Sequence, residues 1–83
     1  MPYIEPKLRK EMDEVVDYMI SKGVKDDGKL NYILFKLCKK IIKPSYNNFK
    51  NYIGEITECS EEIRRRLLSE YENKKIEENG DVD

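Results

Sequence analysis

The sequence contains no histidine and no tryptophan, and only two of its 83 residues are cysteines. Without histidine, the chain lacks the base of a Cys–His nucleophilic pair and the imidazole ligand that many zinc sites use. Cys38 and Cys59 provide no disulfide framework, and we expect both to be small buried residues on apolar helix faces. We therefore predict a protein that is not an enzyme and that holds no metal and no cofactor.

Long apolar runs are also missing. No stretch approaches the roughly 18 residues that a membrane-spanning helix needs, and Glu5, Lys7 and Arg9 interrupt any secretory leader at the start. Hydrophobic residues make up 39% of the chain and charged residues 40%. This composition is typical of helices that each bury a single apolar stripe, and we expect the protein in the cytoplasm of a host cell.

The net charge of −1 conceals three blocks of different sign. Residues 1–27 hold seven acidic and five basic residues, and residues 55–83 hold ten acidic and five basic residues. Between them, residues 28–54 contain six lysines and no acidic residue. A cationic patch of this kind concentrates an anionic partner locally even when the whole chain is nearly neutral.

The spacing of apolar residues predicts an all-α fold, with three helices in a single domain over residues 1–83. Gly23 marks the end of the first helix, Pro44 ends the second, and Ser45 or Asn47 caps the third. We expect Asp27 to cap the second helix and extended arms to flank the helices at both chain ends. The predicted ranges are about 7–22, about 29–43 and about 48–71 for the helices, and 72–83 for the C-terminal arm.

The third predicted helix is long for so small a protein. Residues 48–71 would span roughly 35 Å, whereas a compact globule of this size is about 30 Å across. An overhanging apolar stripe needs a partner, so we predict a homo-oligomer, a dimer or higher, with this helix at the interface. The alternative is a monomer whose last helix breaks near Cys59 and Ser60. Gly54 lies inside the same helix at a cost of about 1 kcal/mol, and we expect it to mark close approach of another helix or a ligand.

The chain starts with MPYI followed by Pro6 and Arg9, and its C-terminal part reads YE..KI.ENGDV from Tyr71 to Val82. In these motifs both ends of the chain resemble a family of short, uncharacterised phage and prophage proteins. The similarity extends to the Asn31–Tyr32 pair and to Ile53–Gly54. It implies a small accessory protein of a virus or an integrated element, and it assigns no catalytic residue.

The connection between the second and third helices carries the side chains that best suit a ligand with phosphate and base. Lys43 and Lys50 suit phosphate, Tyr46 suits base stacking and Asn47 suits base-edge hydrogen bonds, all beside a helix N-terminus. The alternative is a capped loop with no ligand. Downstream, the side chains of Arg64, Arg65 and Arg66 either clamp phosphate or form salt bridges with Glu61, Glu62 and Glu70.

Three functional hypotheses fit these features. The first is an anti-defence sponge that sequesters an anionic nucleotide immune signal, such as a cyclic or modified nucleotide, without catalysis. The alternative is a protein-binding inhibitor or adaptor that acts on a host protein, since separate acidic and basic blocks suit docking. The third hypothesis is a nucleic-acid-binding regulator. The acidic flanking blocks and the sequence pI of about 5.6 disfavour it.

Overall fold

The structure is a computed structural model that describes residues 3–82, and within that range it contains helices and no strands. Its helices are α1 (Pro6–Ser21), α2 (Lys29–Ile41), α3 (Tyr46–Ile63), a π-helical turn (Arg64–Leu68) and α4 (Ser69–Asn79). The last three follow one another without interruption, so the described chain has three helical segments of which the last covers 34 residues. The all-α fold and its long last helix are confirmed.

The first helix begins and ends where the sequence indicates. Pro6 stands in the first turn, where its missing N–H costs nothing. At the other end Gly23 adopts φ +76°, its N–H donates to the carbonyl oxygen of Ile20, and the Val24 N–H donates to that of Met19. This pair of bonds is a Schellman motif, which requires a residue with positive φ and therefore favours glycine.

The second helix is shorter than predicted. It ends at Ile41 because Ile42 already has extended backbone angles (φ −95°, ψ 119°), two residues before Pro44. Its N-cap residue is Gly28, with φ +100°, and not Asp27. The Asp27 carboxylate instead accepts a long 3.4 Å hydrogen bond from the Lys29 N–H and forms an ion pair with the Lys29 ammonium at 3.4 Å.

The prediction of a C-terminal arm over residues 72–83 is wrong for residues 72–79, and Asp83 lies outside the described residues. The chain stays helical to Asn79, because the glutamates and lysines that suggest a solvated tail are also good helix formers. Gly80, with φ +83°, ends α4, and its N–H donates to the Ile76 carbonyl oxygen at 2.8 Å. A break near Cys59 and Ser60 is also absent, since α3 continues through both residues.

Only three residues of the predicted N-terminal arm fall within the part of the chain that the structure describes. Tyr3, Ile4 and Glu5 precede α1 without helical structure, and Met1 and Pro2 lie outside the described residues. The Arg9 side chain donates from Nε to the Ile4 carbonyl oxygen at 3.1 Å. This bond ties the short segment to the first turns of α1.

Contacts divide the described chain into two compact units, residues 3–52 and residues 53–82. In the first unit, the Tyr52 hydroxyl donates a 2.6 Å hydrogen bond to the Leu34 carbonyl oxygen and so joins the start of α3 to α2. The second unit consists of the rest of α3, the π-helical turn, α4 and the residues after it. No residue of the described chain is buried, so neither unit has an apolar core of its own.

Candidate functional site

The connection between α2 and α3 is a helix start that is held by hydrogen bonds. The Ser45 hydroxyl accepts the Asn48 N–H at 3.0 Å, and the Ser45 carbonyl accepts the Phe49 N–H at 3.0 Å. The Asn48 side chain donates to the Lys43 carbonyl oxygen at 2.9 Å, which closes the connection over Pro44. Ser45 is therefore the N-terminal cap, as predicted, and α3 begins at Tyr46, two residues earlier than expected.

Four of the predicted ligand-binding residues lie at this connection, within the unit of residues 3–52. Lys43 precedes the cap, and Tyr46, Asn47 and Lys50 occupy the first turns of α3. On a helix, Lys50 neighbours both Tyr46 and Asn47, because residues three and four positions apart share a side. The Tyr46 side chain is 79% exposed and therefore has a free ring face available for stacking.

Lysines dominate the charge around this connection. Lys39 and Lys40 occupy the last turn of α2, next to Lys43, and Lys50 follows in α3. No carboxylate within residues 3–82 forms an ion pair with any of these four lysines. Lys39 and Lys40 are part of the site that the sequence analysis omitted, although the count of six lysines without an acid already indicated them.

The three arginines belong to the unit of residues 53–82. Arg65 donates to both Glu62 carboxylate oxygens, at 2.9 and 3.1 Å, and Arg66 forms an ion pair with the same carboxylate at 3.7 Å. Arg64 opens the π-helical turn, and its carbonyl oxygen accepts the Ser69 N–H. Arg65 and Arg66 thus form salt bridges with Glu62, which is one of the two alternatives that the sequence left open.

Tyr52 links two parts of the first unit at the base of the connection. Partial burial raises the pKa of its phenol above the ordinary value of 10.0, and repulsion from negative charge on the nearby Cys38 sulfur raises the pKa further. The phenol therefore stays protonated at neutral pH and keeps donating to the Leu34 carbonyl. Its role is structural, because it holds the start of α3 against α2.

A concave feature lies at the turn between α1 and α2, apart from the connection described above. It is an open depression of about 400 Å³ whose lining residues are Val24, Asp27, Gly28, Lys29, Tyr32 and Ile33. The Lys29 ammonium there already contacts the Asp27 carboxylate and the Gly23 carbonyl oxygen, at 3.4 and 3.3 Å. Because its only cation is neutralised locally, this depression is a poorer anion site than the connection around Tyr46.

Two sequence predictions need correction. Cys38 is half-buried and Cys59 is exposed, so the expectation of two buried cysteines is wrong. Gly54 has no close neighbour, since an added Cβ atom would meet nothing within 4 Å. None of the residues that the structure describes therefore makes the expected close approach to Gly54.

Among residues 3–82, no cluster of three or more acidic or cysteine side chains is arranged to hold a metal ion, and no helix there is long and apolar enough to cross a bilayer. A family model described as a domain of unknown function (DUF6899) matches residues 1–82. The chain belongs to this family. No curated protein and no solved structure matches it. Membership of an uncharacterised family is therefore confirmed.

Proposed function

We propose that this protein is a non-enzymatic accessory protein of a phage or mobile element that sequesters an anionic nucleotide used as an immune signal. The ligand contacts the connection between α2 and α3. Lys43 and Lys50 neutralise its phosphates, the Tyr46 ring stacks on a base, and Asn47 reads a base edge. Capture lowers the free concentration of the signal by mass action, so it needs no catalytic group.

One observation carries this proposal. Lysines surround the start of α3 without any carboxylate partner in the described chain, and the most exposed tyrosine, Tyr46, lies among them. The dipole of α3 places positive potential at the same helix end. Cationic side chains that are not neutralised locally, combined with an exposed aromatic ring, suit a ligand that has both phosphate and base.

The proposal is tested by calorimetric titration with cyclic dinucleotides and ADP-ribose derivatives at two salt concentrations. We expect at least one ligand to bind, and to bind more weakly at the higher salt concentration, because salt screens exposed charges. The double variant K43Q/K50Q should bind about tenfold more weakly, since two lost charge contacts are together worth up to about 2 kcal/mol and about 1.4 kcal/mol corresponds to tenfold. No heat at tens of micromolar across the whole panel would contradict the proposal.

Matched variants separate a specific site from a general effect of charge. K22Q/K25Q removes two lysines of the first unit outside the connection and should bind like the unaltered protein. Tyr46→Ala should weaken binding about tenfold, because stacking on one base contributes about 1–3 kcal/mol, whereas Tyr46→Phe keeps the ring and should bind normally. Equal losses for both lysine pairs would show that binding depends only on net charge.

A second candidate function is a protein-binding inhibitor or adaptor. It is favoured by α1, whose apolar residues remain exposed: Leu8, Met12, Val15, Val16 and Ile20. A stoichiometric complex with one host protein, abolished by Val15→Asp and unaffected by K43Q/K50Q, would favour this function over nucleotide capture. Binding of DNA with a steep salt dependence would instead favour a nucleic-acid-binding regulator.

A further inference from the structure

Four tyrosines in the helices are each followed by a lysine four residues later. Side chains at this spacing are neighbours on one side of a helix, so the ammonium group can lie over the ring face. Three of the pairs make this contact, with 5.5, 6.0 and 5.6 Å between the ammonium nitrogen and the ring centroid, namely Tyr18–Lys22, Tyr32–Lys36 and Tyr71–Lys75. In each of them, the lysine covers one face of its own tyrosine.

The fourth pair, Tyr46 and Lys50, does not make the contact. Within residues 3–82, the Tyr46 ring has no cation over it, and the Lys50 ammonium forms neither an ion pair nor a ring contact. Both residues lie in α3 at the same spacing as in the other pairs. In this pair alone of the four, a ring face and a neighbouring positive charge are therefore both open to a ligand.

The residue that follows each tyrosine also distinguishes the fourth pair. Asn47 follows Tyr46 and lies three residues before Lys50, on a shared side of α3. Its amide makes no hydrogen bond in the described chain, whereas the Asn48 amide donates to the Lys43 carbonyl oxygen at 2.9 Å. An apolar side chain cannot read a base edge, and a carboxylate repels phosphate. The corresponding residues of the other three pairs are of these kinds: Met19, Ile33 and Glu72.

We propose that Tyr46, Asn47 and Lys50 bind one nucleotide unit per chain, namely a base together with the phosphate on its own ribose. This inference rests on the proposed function and specifies which part of the ligand α3 recognises. Residues four apart on a helix have Cβ atoms about 5–6 Å apart. A base on the ring and a phosphate at the ammonium must therefore be close neighbours in the ligand, as they are within a single nucleotide. A cyclic dinucleotide or an ADP-ribose derivative would bind here through one of its nucleotides.

Calorimetric titration with parts of the ligand tests the size of the recognised unit. The probes are nucleoside monophosphates, the matching nucleosides and inorganic phosphate. We expect at least one monophosphate to bind at one site per chain and to compete with any larger nucleotide that binds. The matching nucleoside and inorganic phosphate should bind about tenfold more weakly or worse, because each makes only part of the contacts.

The outcomes of these titrations separate the present inference from the proposed function. If a larger nucleotide binds but no monophosphate competes with it, the single-nucleotide unit is wrong while nucleotide capture stands. Equal competition by inorganic phosphate would likewise overturn the unit and leave only a charge effect. If no nucleotide of any size binds, both proposals fall together.

The lack of tryptophan in the chain allows a direct measurement of which tyrosine the base contacts. Tyr46→Trp and Tyr32→Trp each introduce a single indole into the unit of residues 3–52, at the start of a pair with the same spacing. We expect a bound nucleotide to reduce the fluorescence of Tyr46→Trp about twofold, because the base stacks on the indole, and to leave that of Tyr32→Trp unchanged. Equal quenching in both variants, or quenching of Tyr32→Trp alone, would overturn the proposal.

Two lysine variants provide a matched test of the charge. Lys50→Gln and Lys36→Gln remove the same charge at the same spacing from a tyrosine. We expect Lys50→Gln to weaken nucleotide binding about fivefold, and Lys36→Gln to stay within about twofold of the unaltered protein, because the Lys36 ammonium already contacts the Tyr32 ring. Circular dichroism of each variant checks that the helices are intact. Equal losses in the two variants would overturn the assignment of the phosphate to Lys50.

Discussion

Replacing Gly54 by alanine should stabilise the protein, although the position is central in a long helix. Gly54 is an interior residue of α3, its backbone does not have a positive φ, and an added Cβ atom would have nothing within 4 Å. With no steric cost, the gain is the difference in helix propensity between alanine and glycine, about 1 kcal/mol. For a domain of this size that corresponds to a rise in Tm of roughly 4–8 °C.

Thermal unfolding followed by circular dichroism, at equal protein concentration, measures the effect of Gly54→Ala. The matched control is Gly23→Ala, which forces a side chain onto a residue with φ +76° and should destabilise by about 1 kcal/mol. A lower Tm for Gly54→Ala would show that a second copy or a ligand packs against Gly54, and would refute this reasoning.

Three further predictions concern the connection between α2 and α3. Ser45→Ala removes the acceptor of the Asn48 N–H and should cost about 1 kcal/mol of unfolding free energy in chemical denaturation. Tyr52→Phe removes the hydrogen bond to Leu34 and should cost about 0.5–1.5 kcal/mol in the same assay. Because folding raises the pKa of Tyr52, the phenol loses its proton at a lower pH in the unfolded state than in the folded state. The stability that this residue contributes should therefore persist below pH 10 and fall as the pH rises through the folded-state pKa. Tyr52→Phe should reduce this alkaline decline. Unchanged stability in the two variants, or an identical alkaline decline with and without the phenol, would contradict these roles.

The start and end of α1 were predictable because local chemistry determines them. Pro6 suits a first helical turn, and Gly23 supplies the positive φ that a Schellman motif requires, whatever the rest of the chain does. The cap at Ser45 was predictable for the same reason, although Asn47 was an equal candidate in the sequence. Such signals act within a few residues, so no knowledge of the fold is needed to interpret them.

Other features depend on competition between effects that the sequence does not rank. The segment after Tyr71 is so polar that its composition suggests an extended arm, but its glutamates and lysines also favour helix, and helix continues to Asn79. The π-helical turn has no sequence signature apart from the five-residue spacing between Ile63 and Leu68. For the candidate site, the lysine count indicated the charge, whereas the pairing of Arg65 and Arg66 with Glu62 required the positions of the side chains.

The account depends most on the expectation that this chain folds together with a second copy, because none of residues 3–82 is buried. The dependence of Tm on protein concentration tests this claim most directly, since unfolding that releases separate chains is governed by mass action. We expect Tm to rise steadily as the concentration increases from micromolar to millimolar. A cooperative transition with the same Tm at every concentration would show that the single chain is stable alone, and would contradict the account.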